Sequence, residues 1–319
     1  MRRKHRIGLA LGSGSARGWA HIGIVRALEE RGIKPDMVCG TSVGALVGAA
    51  YASGQLDKLE KWVTGLAWTT VVRLMDLSWS GGLIRGTRLF NLFGSILDDV
   101  DIDEFAVPFG AVATELGSGR EVWLRHGRML DAVRASCALP GILQPAVHDE
   151  MLLVDGGLVN PVPVSMCRAL GAEVVIAVDL SWGKLGVYRD RSRDRSGDRS
   201  GDRVGDRNAS TDGTIELPAE PREKPGLLDR LGRGWLGRTA KEVESKVRMP
   251  SIIEVFTTSL DIVEMRVARS RLAGEPADVL LTPLLPRFKT MDFHRAKEAI
   301  AEGRATVERM APLIQQVLG

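Results

Sequence analysis

Cysteine is scarce in this chain of 319 residues: Cys39, Cys137 and Cys167 make an odd number, each set among apolar or small neighbours and none at zinc-ligand spacing. A disulfide framework is thereby excluded, and a reducing compartment is expected. Long apolar runs are lacking too. No window approaches the roughly 18 residues of a membrane span, and the apolar stretch behind the basic N-terminus MRRKHR, residues 7–11, is too short for a signal peptide. A cytoplasmic protein is expected, with peripheral contact at the inner membrane surface left open. Neither sign of charge dominates: 43 basic residues stand against 40 acidic ones, interleaved, for a net charge of +3. That balance argues against a nucleic-acid partner. No run of carboxylates has the spacing of a calcium loop, so neither metal nor cofactor is expected.

What is present is an ordinary globular balance, 44% apolar and 26% charged, enough for a sizeable core. Residues 7–11 form a short apolar run closed by glycines, which suits a buried parallel strand. Residues 20–31 place Ile22, Val25 and Leu28 at helical spacing before Gly32. KPDMVCG reads as a second strand and residues 43–52 as a small-residue helix, so the start of the chain alternates strand and helix as parallel sheets do. VPFGAVATEL, MLLVDGGLVN and AEVVIAVDL add strands by their valine and isoleucine content. Residues 251–272 read as a helix, ADVLLTPLL as a strand, and residues 293–318 as a closing amphipathic helix. Between them, residues 189–213 hold seven arginines, six aspartates and almost nothing apolar, a composition that cannot offset its chain entropy. The expected layout is a domain over residues 1–182, a polar low-complexity insertion over 183–248, and residues 249–319 completing the same domain.

Two glycine-rich turns carry the candidate chemistry. GTSVG, residues 40–44, lies between a predicted strand and a predicted helix, the setting in which a Gly-x-Ser-x-Gly serine projects as a nucleophile. A serine helix cap among small residues would read the same way. GSGSARG, residues 12–18, is a strand-to-helix turn whose backbone N–H groups suit an anion, either a pyrophosphate or the oxyanion of acyl transfer. A dinucleotide would want an acidic residue at the end of the second strand, and that strand ends at Ser42. Ser42, Asp155 and His294 occur in the order of an α/β-hydrolase triad, yet only one strand-helix unit precedes Ser42, which weighs against that fold. His21, His126 and His148 have no geometric claim as the base.

The motifs SGSARGWAHIG, GTSVGAL and VDGGLVNPVP, in that order and joined by RASCALPGILQPAV, resemble the bacterial patatin-like phospholipases. The resemblance implies a three-layer α/β/α domain with a central, mainly parallel sheet. It also implies a serine acyl hydrolase of phospholipid, lysophospholipid or simpler esters, working through an acyl-enzyme. In that family a Ser-Asp dyad acts without histidine, so Ser42 becomes the nucleophile and Asp155 the general base. The N–H groups of Gly14, Ser15 and Ala16 become the oxyanion hole, and Arg17 braces the loop or meets a phosphate. An aspartate at the apolar strand end LLVDGG is expected to be a stronger base than one in water. Ser15 departs from the glycine usual in the family; a positive φ there would cost serine about 1 kcal/mol or more. That departure, with the polar insertion, keeps a catalytically weak regulatory or lipid-binding module as an alternative, and acyl transfer to an acceptor other than water is another. Trp62, Trp68 and Trp79 read as core or as a cap over the site, and GLLDRLGRGWLGR, residues 226–238, as a candidate membrane-surface segment.

Overall fold

The computed structural model describes residues 5–67, 69–70, 87–181 and 252–319. The chain divides into two units, Met1–Asp190 with Phe256–Gly319, and Arg191–Val255. Of the second only residues 252–255 are described, the start of a helix; the first unit is the one that carries the site. The expected insertion, its 226–238 segment, Trp68 and Trp79 lie outside the described residues.

β1 (Ile7–Leu11) passes through a 3-10 turn (Ser15–Trp19) into α1 (Ala20–Glu30), and β2 (Met37–Thr41) passes through a single residue into α2 (Val43–Ala52). There follow α3 (Leu56–Thr64), α4 (Thr87–Ile96), β3 (Phe109–Glu115), β4 (Glu121–Leu124), α5 (Met129–Ser136), β5 (Ala146–His148), β6 (Met151–Asp155), α6 (Val164–Ala169) and β7 (Val174–Val178). α7 (Ile252–Gly274), β8 (Val279–Leu281) and α8 (Ala296–Leu318) complete the order. Among the described residues no helix is long and apolar enough to cross a membrane.

All eight strands form one sheet in the order β5-β6-β3-β2-β1-β7-β8, with β4 also on β3. β3, β2, β1, β7 and β8 run parallel, while β4 and β6 are antiparallel to β3 and β5 is antiparallel to β6. The central strands are buried along their whole length, because helices cover both faces. Leu9, Leu11, Ile176 and Val178 face a core that α1, α2 and α8 close. Ala10, Cys39, Val175 and Ala177 face the other, with Met166 and Cys167 of α6 and Ala268 of α7. The result is three layers, α/β/α, as the motifs implied.

One register matters for the site. Thr41, the last residue of β2, lies opposite Val112 on β3, and Asp155, the last of β6, lies opposite Ala113. β2 and β6 run in opposite directions and stop at neighbouring rungs of the strand between them.

Candidate active site

Ser42 is the single residue between β2 and α2, at φ 57° and ψ −126°. A non-glycine residue at positive φ costs about 1–3 kcal/mol and persists only where its surroundings impose it. The flanking glycines are required by contact: a Cβ on Gly40 would run into the Gly44 carbonyl, and one on Gly44 into that of Leu11. The turn is fastened on several sides. Thr41 donates its hydroxyl to the Asn160 carbonyl at 2.8 Å, Ser42 donates its N–H to Ser136 Oγ at 2.9 Å, and Ala45 donates its N–H to the Ser42 carbonyl at 2.8 Å.

The side chain of Ser42 meets Asp155. Its Oγ donates to Asp155 Oδ2 at 2.6 Å across 113 residues of sequence. Asp155 is only 1% exposed. Its Oδ1 accepts the Gly157 N–H at 2.8 Å, its own N–H goes to the Ala138 carbonyl at 3.0 Å, and its carbonyl accepts Thr114 Oγ1 at 2.8 Å. Carboxylate and backbone are therefore both fixed. Cys137 stands beside the pair: burial pushes its thiol well above the ordinary value and the Asp155 charge pushes further, against a hydrogen bond with Ser42. It stays a neutral thiol and is therefore a poor nucleophile.

The glycine turn lies against this pair at the end of β1. Gly12 N–H goes to the Val178 carbonyl and Ser13 N–H to that of Pro161, so the turn is pinned to β7 and to the Asp155 loop. Ser15 sits at φ 50°, the left-handed region in which serine costs about 1 kcal/mol or more. Ala16 N–H is directed at the Thr290 carbonyl at 3.2 Å. Among the described residues no acceptor takes the N–H groups of Gly14 and Ser15. Of the three donors expected from the sequence, Ala16 is engaged by Thr290, and Ser15 borders the cavity described below. Arg17 is buried and donates to the Phe288 carbonyl. Burial pulls its guanidinium below the ordinary value, opposed by the charges of Asp261, Asp292 and Glu264. The side chain braces the loop from within and is not part of the cavity wall.

Of the histidines, His294 is exposed in the 3-10 turn Phe293–Arg295, and His126 is exposed beside Asp103. His21 is fully buried beneath the glycine turn, with Nε2 donating to the Gly12 carbonyl at 2.8 Å. Its Nδ1 meets no partner among the described residues. Burial lowers its pKa to about 4, from about 6.5 unfolded. Below pH 6.5 the unfolded chain takes up a proton that the folded one refuses until about pH 4. This residue's contribution is therefore complete above pH 6.5 and declines as the solution is acidified. Linkage over that gap amounts to about 3 kcal/mol. Urea unfolding of parent and His21→Gln from pH 7 to pH 4 should show the parent losing about that much more stability; parallel curves would contradict it.

Ser42 opens on a cavity of about 160 Å3 whose walls are almost wholly apolar. Its lining includes Ser15, Ser42 and Cys137 together with Leu46, Trp62 and Phe93. Trp62 stands edge-on to Phe93 at 5.4 Å, fixing part of that wall from α3 and α4. Sequence reasoning missed Ser136, Ala138 and Asn160, which hold the two key residues in place. Nothing in RASCALP or NPVP distinguishes their atoms, since their partners come from distant segments.

A family model for patatin-like phospholipase matches residues 9–168. An uncharacterized NTE family protein of Mycobacterium tuberculosis is 34% identical over 94% of this chain and 89% of its own length. Mouse patatin-like phospholipase domain-containing protein 7 is 34% identical over 54% of this chain, and Aspergillus fumigatus lysophospholipase nte1 is 32% identical over the same share; the matches span 13% and 12% of those proteins. Among solved structures, VipD from Legionella pneumophila superposes with a TM-score of 0.52 at 12% identity, over 99% of this chain and 67% of that one, a likeness of fold.

Proposed function

The chain belongs to the patatin-like phospholipase family, and from that premise we propose that it is a serine acyl hydrolase of phospholipids, lysophospholipids or simpler esters. Ser42 is the nucleophile and Asp155 its base. The observation that carries this reading is the 2.6 Å hydrogen bond from Ser42 Oγ to a buried carboxylate, at the wall of an apolar cavity. Each methylene of an acyl chain moved from water into such a cavity contributes about 0.8 kcal/mol, so the walls favour long-chain esters. Relatives named lysophospholipase make a single-chain phospholipid the first substrate to try.

Ser42 Oγ bonds to the ester carbonyl carbon as its proton passes to Asp155 Oδ2. The carbonyl oxygen becomes an oxyanion, held by the N–H groups of Gly14 and Ser15; Ala16 N–H joins them only by leaving Thr290. Collapse breaks the bond to the alcohol, which leaves with the proton from Asp155. Water then gives its proton to Asp155 and attacks the acyl-serine. The second collapse frees the carboxylic acid and returns the proton to Ser42 Oγ.

A fluorophosphonate probe tests the proposal directly, because it reacts only with an activated serine. One adduct per chain is expected, carried by the peptide that contains Ser42. A chain that binds lipid vesicles yet takes no label would sink the catalytic reading and leave a binding module.

A further inference from the structure

In the parallel ladder between β2 and β3, Val38 N–H goes to the Pro108 carbonyl at 2.9 Å. Parallel ladders repeat every second residue, so the same spacing makes Val112 the acceptor due to Ser42. Ser42 N–H does not reach it. The hydroxyl of Ser136, fully buried at the end of α5, lies between them: it accepts Ser42 N–H at 2.9 Å and donates to the Val112 carbonyl at 2.6 Å. A carbonyl cannot donate, so the single proton of Ser136 must point at Val112 and its lone pair at Ser42. The ladder is thus opened by one hydroxyl at the rung where β2 must turn away. Two residues on, Ala138 takes the N–H of Asp155.

We propose that Ser136 is a positioning residue for acyl transfer: its hydroxyl, wedged into the last rung between β2 and β3, fixes the backbone of Ser42 so that Oγ points at both Asp155 and the cavity. The three-residue stretch 136–138 then holds nucleophile and base in one frame. This rests on the reading of Ser42 and Asp155 given above. Without the hydroxyl, Ser42 N–H and the Val112 carbonyl lose their common partner, and the ladder closes by drawing Ser42 toward β3. A displacement of about 1 Å at a reacting atom costs on the order of 10²-fold in rate.

The experiment compares full-length parent, Ser136→Ala and Ser136→Thr on a p-nitrophenyl ester, with rates normalised to the sites that a fluorophosphonate finally labels. For Ser136→Ala, kcat per site is expected to fall about 10- to 100-fold with KM within about threefold, and the labelling rate to fall in proportion. Ser136→Thr keeps the hydroxyl and should recover most of both rates. A purely structural serine would lower the melting temperature and the number of labelled sites while leaving kcat per site unchanged, which would overturn the proposal. Equal losses with and without the hydroxyl would overturn it too. Should Ser136→Ala not fold, Ser136→Cys takes its place with the same outcomes, sulfur being a poor acceptor. Turnover surviving in Ser42→Ala is a separate result that removes the nucleophile reading whatever Ser136 does.

Discussion

Asp155→Asn is expected to lower kcat about 10³- to 10⁴-fold while KM stays within about threefold. The amide has the shape of the carboxylate, so its oxygen can keep the Gly157 N–H that Oδ1 accepts at 2.8 Å, and the backbone bonds to Ala138 and Thr114 are untouched. What changes is the atom facing Ser42. An amide nitrogen donates where Oδ2 accepted, the serine proton loses its acceptor, and neither His21, buried under the glycine turn, nor the exposed His294 is hydrogen-bonded to Ser42 to replace it. Ser42→Ala should cost about as much, and the double variant little more than either alone, because groups that act as a unit do not add. Turnover of a p-nitrophenyl ester, with circular dichroism to confirm folding, measures all three. An asparagine variant within about tenfold of the parent would remove Asp155 from the base role.

Gly44→Ala should be the most damaging change to the fold among the conservative ones near the site. A methyl there points into the carbonyls of Leu11 and Gly12, the end of β1 and the start of the glycine turn. β1 cannot yield, since β2 and β7 hold it from both sides. Overpacking against fixed backbone costs about 3 kcal/mol or more. At roughly 2–4 °C per kcal/mol for a domain of this size, the melting temperature falls by roughly 6–12 °C. A melt within a degree or two of the parent would mean that α2 can move away from β1.

The sheet's parallel half and the 40–44 turn were legible in the residues themselves, whereas the pairing of Ser42 with Asp155 was implied only by the family resemblance. Strands covered on both faces leave unbroken apolar runs, and glycines forced by close contact leave fixed spacings, as in residues 7–11 and 40–44. In the antiparallel half β6 was legible in MLLVDGGLVN, but β4 and β5 left little trace. β5 has three residues and β4 four, too few for a period to register. The turn between β5 and β6 is made by Asp149 and Glu150, both at positive φ, with neither glycine nor asparagine to announce it. Ala16 and Arg17 show a further limit. Whether an N–H is spent on Thr290, or a guanidinium is turned inward to Phe288, depends on residues some 270 positions away. The same holds for Ser136, whose importance comes from where β3 places Val112.

Because β2 and β6 end on adjacent rungs of β3, the separation of Ser42 from Asp155 is gauged by two steps across the sheet and is indifferent to the contour length of the intervening polypeptide. Relatives could lengthen or trim the exposed bend at Gly117 to Gly119 without altering the reach between the two side chains. Sliding β6 by a single position along β3 would instead turn Asp155 to the opposite face. Drift in loop size is thus tolerated in a protein of this design, and frameshift-like slippage of one strand is not.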